Sequence, residues 1–95
     1  MSNVASTVRL LPGDVIAVYG WVMLAKVEGG RKYRVKRIQN YHGQPAYCLC
    51  PARGYNIAAT HYAHELDPWI RDASDDDMNK IVILYRNGES YSTHS

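Results

Sequence analysis

Ninety-five residues, 46% of them hydrophobic and 21% charged, make one globular domain with a modest core, and exclude a disordered or collagen-like chain. A formal charge of +2 gives no ground by itself for nucleic-acid binding. Phenylalanine is absent and there are eight tyrosines, so aromatic packing must come largely from rings with a polar tip, which suit a thin barrel wall or an interface.

Residues 1–9 are small and polar, an expected loose arm without the charged start and apolar run of a signal peptide. Leu11-Pro12-Gly13-Asp14 is a turn, followed by Val15-Ile16-Ala17-Val18-Tyr19, whose β-branched and aromatic content predicts a strand. Gly20 bends the chain into a second expected strand, Trp21 to Glu28. The apolar run from Val15 to Val27 also has the look of a buried helix, but its Val, Ile, Tyr and Trp favour the extended form. It is too short to span a bilayer.

Gly29-Gly30 supplies the positive φ angles of a two-residue hairpin, which would set Glu28 opposite Arg31, Leu24 opposite Val35 and Lys26 opposite Tyr33. The next strand, Lys32 to about Asn40, alternates: Lys32, Arg34 and Lys36 on one face, Tyr33 and Val35 on the other. The step from Val35 to Ile38 breaks that alternation and predicts a bulge near Lys36-Arg37. His42-Gly43-Gln44 turns the chain into a strand that starts at Pro45 and ends at Pro51 to Gly54.

Asn56 to Leu66 fits both periods and is read as an extended start that tightens into a turn before Asp67-Pro68. Residues 71–79 are polar and acidic, a plausible linker. Residues 80–95 hold Ile81-Val82-Ile83-Leu84 and then Asn87-Gly88, the sequence of a hairpin. The alternative is a helix capped by Ser74 and closed by Gly88.

These elements predict an all-β domain, a small barrel over residues 10–70 with residues 80–95 as a C-terminal hairpin extension or a packed helix. Gly13-Asp14-Val15, Tyr33-Arg34-Val35-Lys36-Arg37-Ile38, Tyr47-Cys48-Leu49 and Glu65-Leu66-Asp67 resemble the strand cores of SH3-like small β-barrels, including compact barrels encoded by phages and bacteria. The resemblance implies a non-enzymatic interaction protein that regulates or inhibits a partner, and host cytoplasm as the compartment if the chain is phage-encoded.

Charge is unevenly distributed. Residues 1–37 hold seven basic against two acidic side chains, and residues 39–95 hold four against seven. The candidate partner-binding set is Arg31, Lys32, Arg34, Lys36 and Arg37, with Tyr41 and His42 beside them. Such a strip can contact an acidic protein, or track phosphates while Tyr41 stacks on a base. It is equally the solvated outer face of a half-buried strand, whose lysines discourage edge pairing.

Other chemistry is thin. Cys48, Cys50, His61 and His64 are zinc-ligand types, but their spacing is not that of a zinc knuckle, and same-face strand cysteines surround a tetrahedron poorly. A Cys–His dyad would need a reactive thiol, and an apolar strand makes one inert. Asp75-Asp76-Asp77 lacks the spacing of a calcium loop. Trp21, Trp69, Tyr55 and Tyr62 would either gather into a peptide groove or simply fill the core. The expectation is a cytoplasmic protein without enzymatic activity, metal or cofactor. A protein or protein complex is its first expected partner, nucleic acid its second, an assembly role its third, and no membrane is involved.

Overall fold

The computed structural model describes residues 8–20 and 31–91, with the side chain of Arg31 outside that set. Six strands form one antiparallel sheet: β1 (Val15–Tyr19), β2 (Arg31–Tyr41), β3 (Gln44–Pro51), β4 (Ala59–Tyr62), β5 (Lys80–Arg86) and β6 (Glu89–Ser90). Their order across the sheet is β4-β3-β2-β1-β5-β6. The all-β expectation is met, and so is the run from extended chain into a turn after Asn56. A four-residue helix α1 (Ala63–Leu66) and a 3-10 turn (Asp67–Trp69) follow β4 directly.

Two of the connections have a plain local cause. His42 and Gly43 both take positive φ, 52° and 79°, which matches the twist of the two strands they join and closes β2 on β3 with Tyr41 opposite Gln44. Asn87 and Gly88 do the same at 56° and 79° and return β5 into β6. Residues 80–90 are therefore the hairpin and not the helix.

The expected strand over residues 21–28 and its Gly29-Gly30 turn lie outside the described residues, but the pairing assigned to them is overturned. β2 has β3 on one edge, while Val15 to Val18 occupy the other, with Ile16 opposite Tyr33 and Val18 opposite Arg31. Val35, expected opposite Leu24, instead bonds to the turn before β1: its N–H donates to Asp14 O and its carbonyl accepts from Gly13 N–H. A turn signal of two glycines fixes only which residues are adjacent, and a better apolar strand further back in the chain took the position.

β5 runs along β1, with Val18 opposite Ile81 and Ile16 opposite Ile83. The inner face of the sheet buries Ile16, Val18, Tyr33, Val35, Tyr47, Leu49, Ile81 and Ile83, and Leu10, Leu66 and Ile70 pack into the same cluster. Tyr47 is buried among them and its polar tip has two partners. The hydroxyl donates to Asp67 Oδ1 at 2.7 Å and accepts from Leu10 N–H at 3.2 Å. Burial, with the Asp67 hydrogen bond next, pushes its pKa far above the usual tyrosine range.

The one buried charge among the described residues is also tied. Asp14, 1% exposed, accepts from Leu11 N–H and receives the Arg86 guanidinium in a two-point contact, Nε to Oδ1 at 3.0 Å and Nη2 to Oδ2 at 2.8 Å. That pair locks the turn before β1 onto the end of β5.

Candidate functional site

The expected bulge is present. The β2–β3 register shifts between Val35 and Arg37, so Val35 faces Leu49 and Arg37 faces Cys48, with Lys36 as the extra residue. Directly opposed residues in an antiparallel pair share a face. The outer face therefore reads Arg34 with Cys50, Arg37 with Cys48, Gln39 with Ala46, and Tyr41 with Gln44. Lys32 joins this face opposite Ala17. Were the strand regular through Lys36, with no bulge, Arg37 and Tyr41 would point inward and Ile38 outward. A bulge is thus what gathers Lys32, Arg34, Lys36, Arg37 and Tyr41 on one side.

The cations differ in what holds them. Arg34 is half-buried and donates to Ala52 O at 3.3 Å and Gly54 O at 2.8 Å, with its guanidinium 5.9 Å from the centre of the Tyr55 ring. Lys36 donates to Tyr55 O at 2.6 Å, and Arg37 Nε to Gln39 Oε1 at 3.1 Å. Lys32 is exposed. Arg31 begins β2 opposite Val18. Asp14, Glu65 and Asp75 meet Arg86, His61 and Arg71, not a β2 cation. Backbone carbonyls, rather than a carboxylate, orient Arg34 and Lys36.

Sequence reasoning missed the loop that these two side chains seize. It brings Tyr55, 79% exposed, over Arg34 and carries exposed Arg53. The missed signal is compositional: Arg-Gly-Tyr in a loop directly after a strand whose opposite residue is arginine. His42, in the turn, is exposed beside Tyr41.

At the Tyr41 end of the same face, Tyr41, Ala46, Thr60, Tyr62 and Glu65 line an open cleft of about 230 Å³. Ala46 forms a shallow floor because it is the shortest residue opposite Tyr62 and Gln39. Glu65 Oε1 accepts from Tyr62 N–H at 2.9 Å, and the Tyr62 ring stacks on His64 at 5.3 Å between centres. The expected aromatic groove does not assemble: Trp69 packs against the core, Tyr55 stands over Arg34 and Tyr62 lines this separate cleft, while Trp21 lies outside the described residues.

The remaining ligand-type residues are divided by the ladder. Cys48 opposes Thr60, whereas His61 opposes Tyr47, so His61 stands on the other face of the sheet from both cysteines. Cys48 and Cys50 are unbridged and fully buried, their thiols near Gln39 Oε1 and Arg34 O. No group of three metal-ligand side chains gathers among the described residues, and none of their helices is long and apolar enough to cross a membrane. Comparison with protein-family models, with curated proteins and with solved structures returns no significant match, so what this face does is read from its own residues.

Proposed function

We propose that the protein is a non-enzymatic interaction module that binds an acidic macromolecular partner, a protein complex first of all, through the outer face of β2, and thereby regulates or blocks it. The observation that carries this reading is the combination of clustered positive charge and fixed geometry. Lys32, Arg34, Lys36 and Arg37 share a face, and two of them are already held in place by loop carbonyls. Side chains ordered before binding lose less entropy when the partner arrives. Complementary charge at such a rim speeds encounter and sets specificity.

The SH3-like resemblance belongs to this proposal. Strand order supports it: a four-strand meander, a short helical turn, and a fifth strand that returns to pair with the first. In the phage-encoded form of that reading, the partner is a host complex.

The test is a pull-down from lysate with and without nuclease, comparing the natural chain with Lys32→Glu/Arg37→Glu. Arg34 is spared because it also holds the loop of residues 52–54. A captured partner that survives nuclease and is lost in the variant supports the proposal. Equal capture by both proteins overturns it. A second reading, single-stranded nucleic acid, rests on the cleft between Tyr41 and Tyr62 on the same face. It predicts a mobility shift that fades as salt rises and weakens in Tyr41→Ala.

A further inference from the structure

A second surface lies away from the cationic face. β2 continues to Tyr41, but β1 accompanies it only as far as Arg34, and the preceding turn as far as Val35. Beyond that point the sheet and the segment before β1 part. Between them Leu10, Leu11, Ile38, Pro45 and Tyr47 line a mostly apolar cleft of about 240 Å³, with exposed Arg9 also on its wall. Leu11 is 46% exposed and Ile38 37% exposed, both large for residues at the edge of a core.

At the other end of β1 the chain presents the complement. Met78 is 83% exposed and follows Asp75-Asp76-Asp77, of which Asp76 and Asp77 are exposed. This loop is built to hold its shape. Asp72 accepts from Ser74 N–H, Asp75 from Asp77 N–H and Asp77 from Asn79 N–H. Lys80 Nζ donates to the carbonyls of Ala73 and Asp75. Gly20 presses on the loop so closely that a Cβ there would lie 2.7 Å from Met78 O.

We propose that the cleft receives Met78 of a second copy of this chain, with the acidic loop of that copy against Arg9, so that molecules associate head to tail. Unbranched and polarizable, a methionine side chain fills an irregular apolar gap well, and the charges flanking it oppose the one on the cleft wall. Cleft and knob stand at opposite ends of β1, since Leu11 precedes its start and the Met78 carbonyl lies against the glycine that follows it. Different patches meet in this contact, so it does not close on itself as a two-fold pair would, and it extends into short chains.

One anchor side chain in a small interface implies weak binding, with a dissociation constant on the order of 0.1–1 mM. Sedimentation velocity over that range should show mass rising with concentration and falling again as salt increases. Met78→Asp and Leu11→Glu change exposed residues and should leave the thermal transition in place. Each should lower association at least tenfold. Mixed together they should form a one-to-one pair and nothing larger, because one intact cleft meets one intact knob. A natural chain that stays monomeric throughout at low salt overturns the proposal. So does association that Met78→Asp leaves unchanged, or a mixture that forms no pair. Partner capture by the β2 face does not involve Met78, so its success or failure is read separately.

Discussion

Replacing Arg86 by methionine keeps most of the side-chain volume and removes the charge that Asp14 was folded around. Asp14 loses two of the three hydrogen bonds its carboxylate accepts, keeping only Leu11 N–H. Arg9 O also loses its donor, and Tyr91 loses a guanidinium 4.5 Å from its ring centre. Leaving one member of a buried ion pair uncompensated costs about 3–5 kcal/mol. Arg86 is itself 21% exposed, so water can replace part of what it supplied, and the lower end, about 3 kcal/mol, is expected. With a urea slope of about 1.5 kcal/mol/M, the unfolding midpoint should fall by roughly 2 M at unchanged slope. In an Asp14→Asn background the same Arg86→Met change should cost only about 1 kcal/mol, since no buried charge is stranded. Arg86→Lys should fall between, because an ammonium cannot reproduce the two-point contact. An Arg86→Met protein within 0.5 kcal/mol of the natural chain, or an equal cost in both backgrounds, would refute the reasoning.

Tyr47→Phe removes the acceptor of Leu10 N–H and the donor to Asp67, and should cost about 1–2 kcal/mol in urea unfolding. Because folding raises the Tyr47 pKa above its ordinary value of 10.0, its contribution is complete below pH 10 and fades as pH rises beyond it, where the unfolded chain ionises and the folded one resists. Stability of the natural chain should therefore fall more steeply above pH 10 than that of Tyr47→Phe. Gly20→Ala places a methyl group against Met78 O at a residue with φ of 71°, and should cost more than about 1 kcal/mol, read as a lowered thermal midpoint. Deleting Lys36 removes only the extra residue of the bulge, so Val35 and Arg37 keep their faces and the domain should still fold. Deleting Gln39 forces a one-residue slip of the strand end, which circular dichroism and the thermal transition should report as a damaged fold.

What was legible in the sequence was local. Alternation placed Tyr33 and Val35 in the core and Lys32, Arg34 and Lys36 outside, and the break at Val35 to Ile38 located the bulge. His42-Gly43 and Asn87-Gly88 named their own turns. Partnership between distant strands was not legible, because nothing in Val15-Ile16-Ala17-Val18-Tyr19 says that Arg31 to Arg34 lies on one side and Ile81 to Ile83 on the other. The same limit hid the Asp14–Arg86 pair, whose members are 72 residues apart. It also hid the capture of the 52–55 loop by Arg34 and Lys36, since a charged residue on an outer face reads as solvated until a carbonyl is seen beside it.

The bulge joins fold and site in a single feature. A regular strand through Val35, Lys36 and Arg37 would have had to choose between burying Val35 and turning Arg37 and Tyr41 outward. One additional residue satisfies both demands, and its side chain then reaches across to Tyr55 O. The bulge also falls where β2 outruns β1, and Ile38, Pro45 and Tyr47 beyond it line the apolar cleft with Leu10 and Leu11. The cationic face and the apolar cleft thus lie on opposite sides of the same strand. A partner bound to the face and a second copy seated in the cleft would both bear on β2, so occupancy of one is expected to alter affinity at the other, reciprocally.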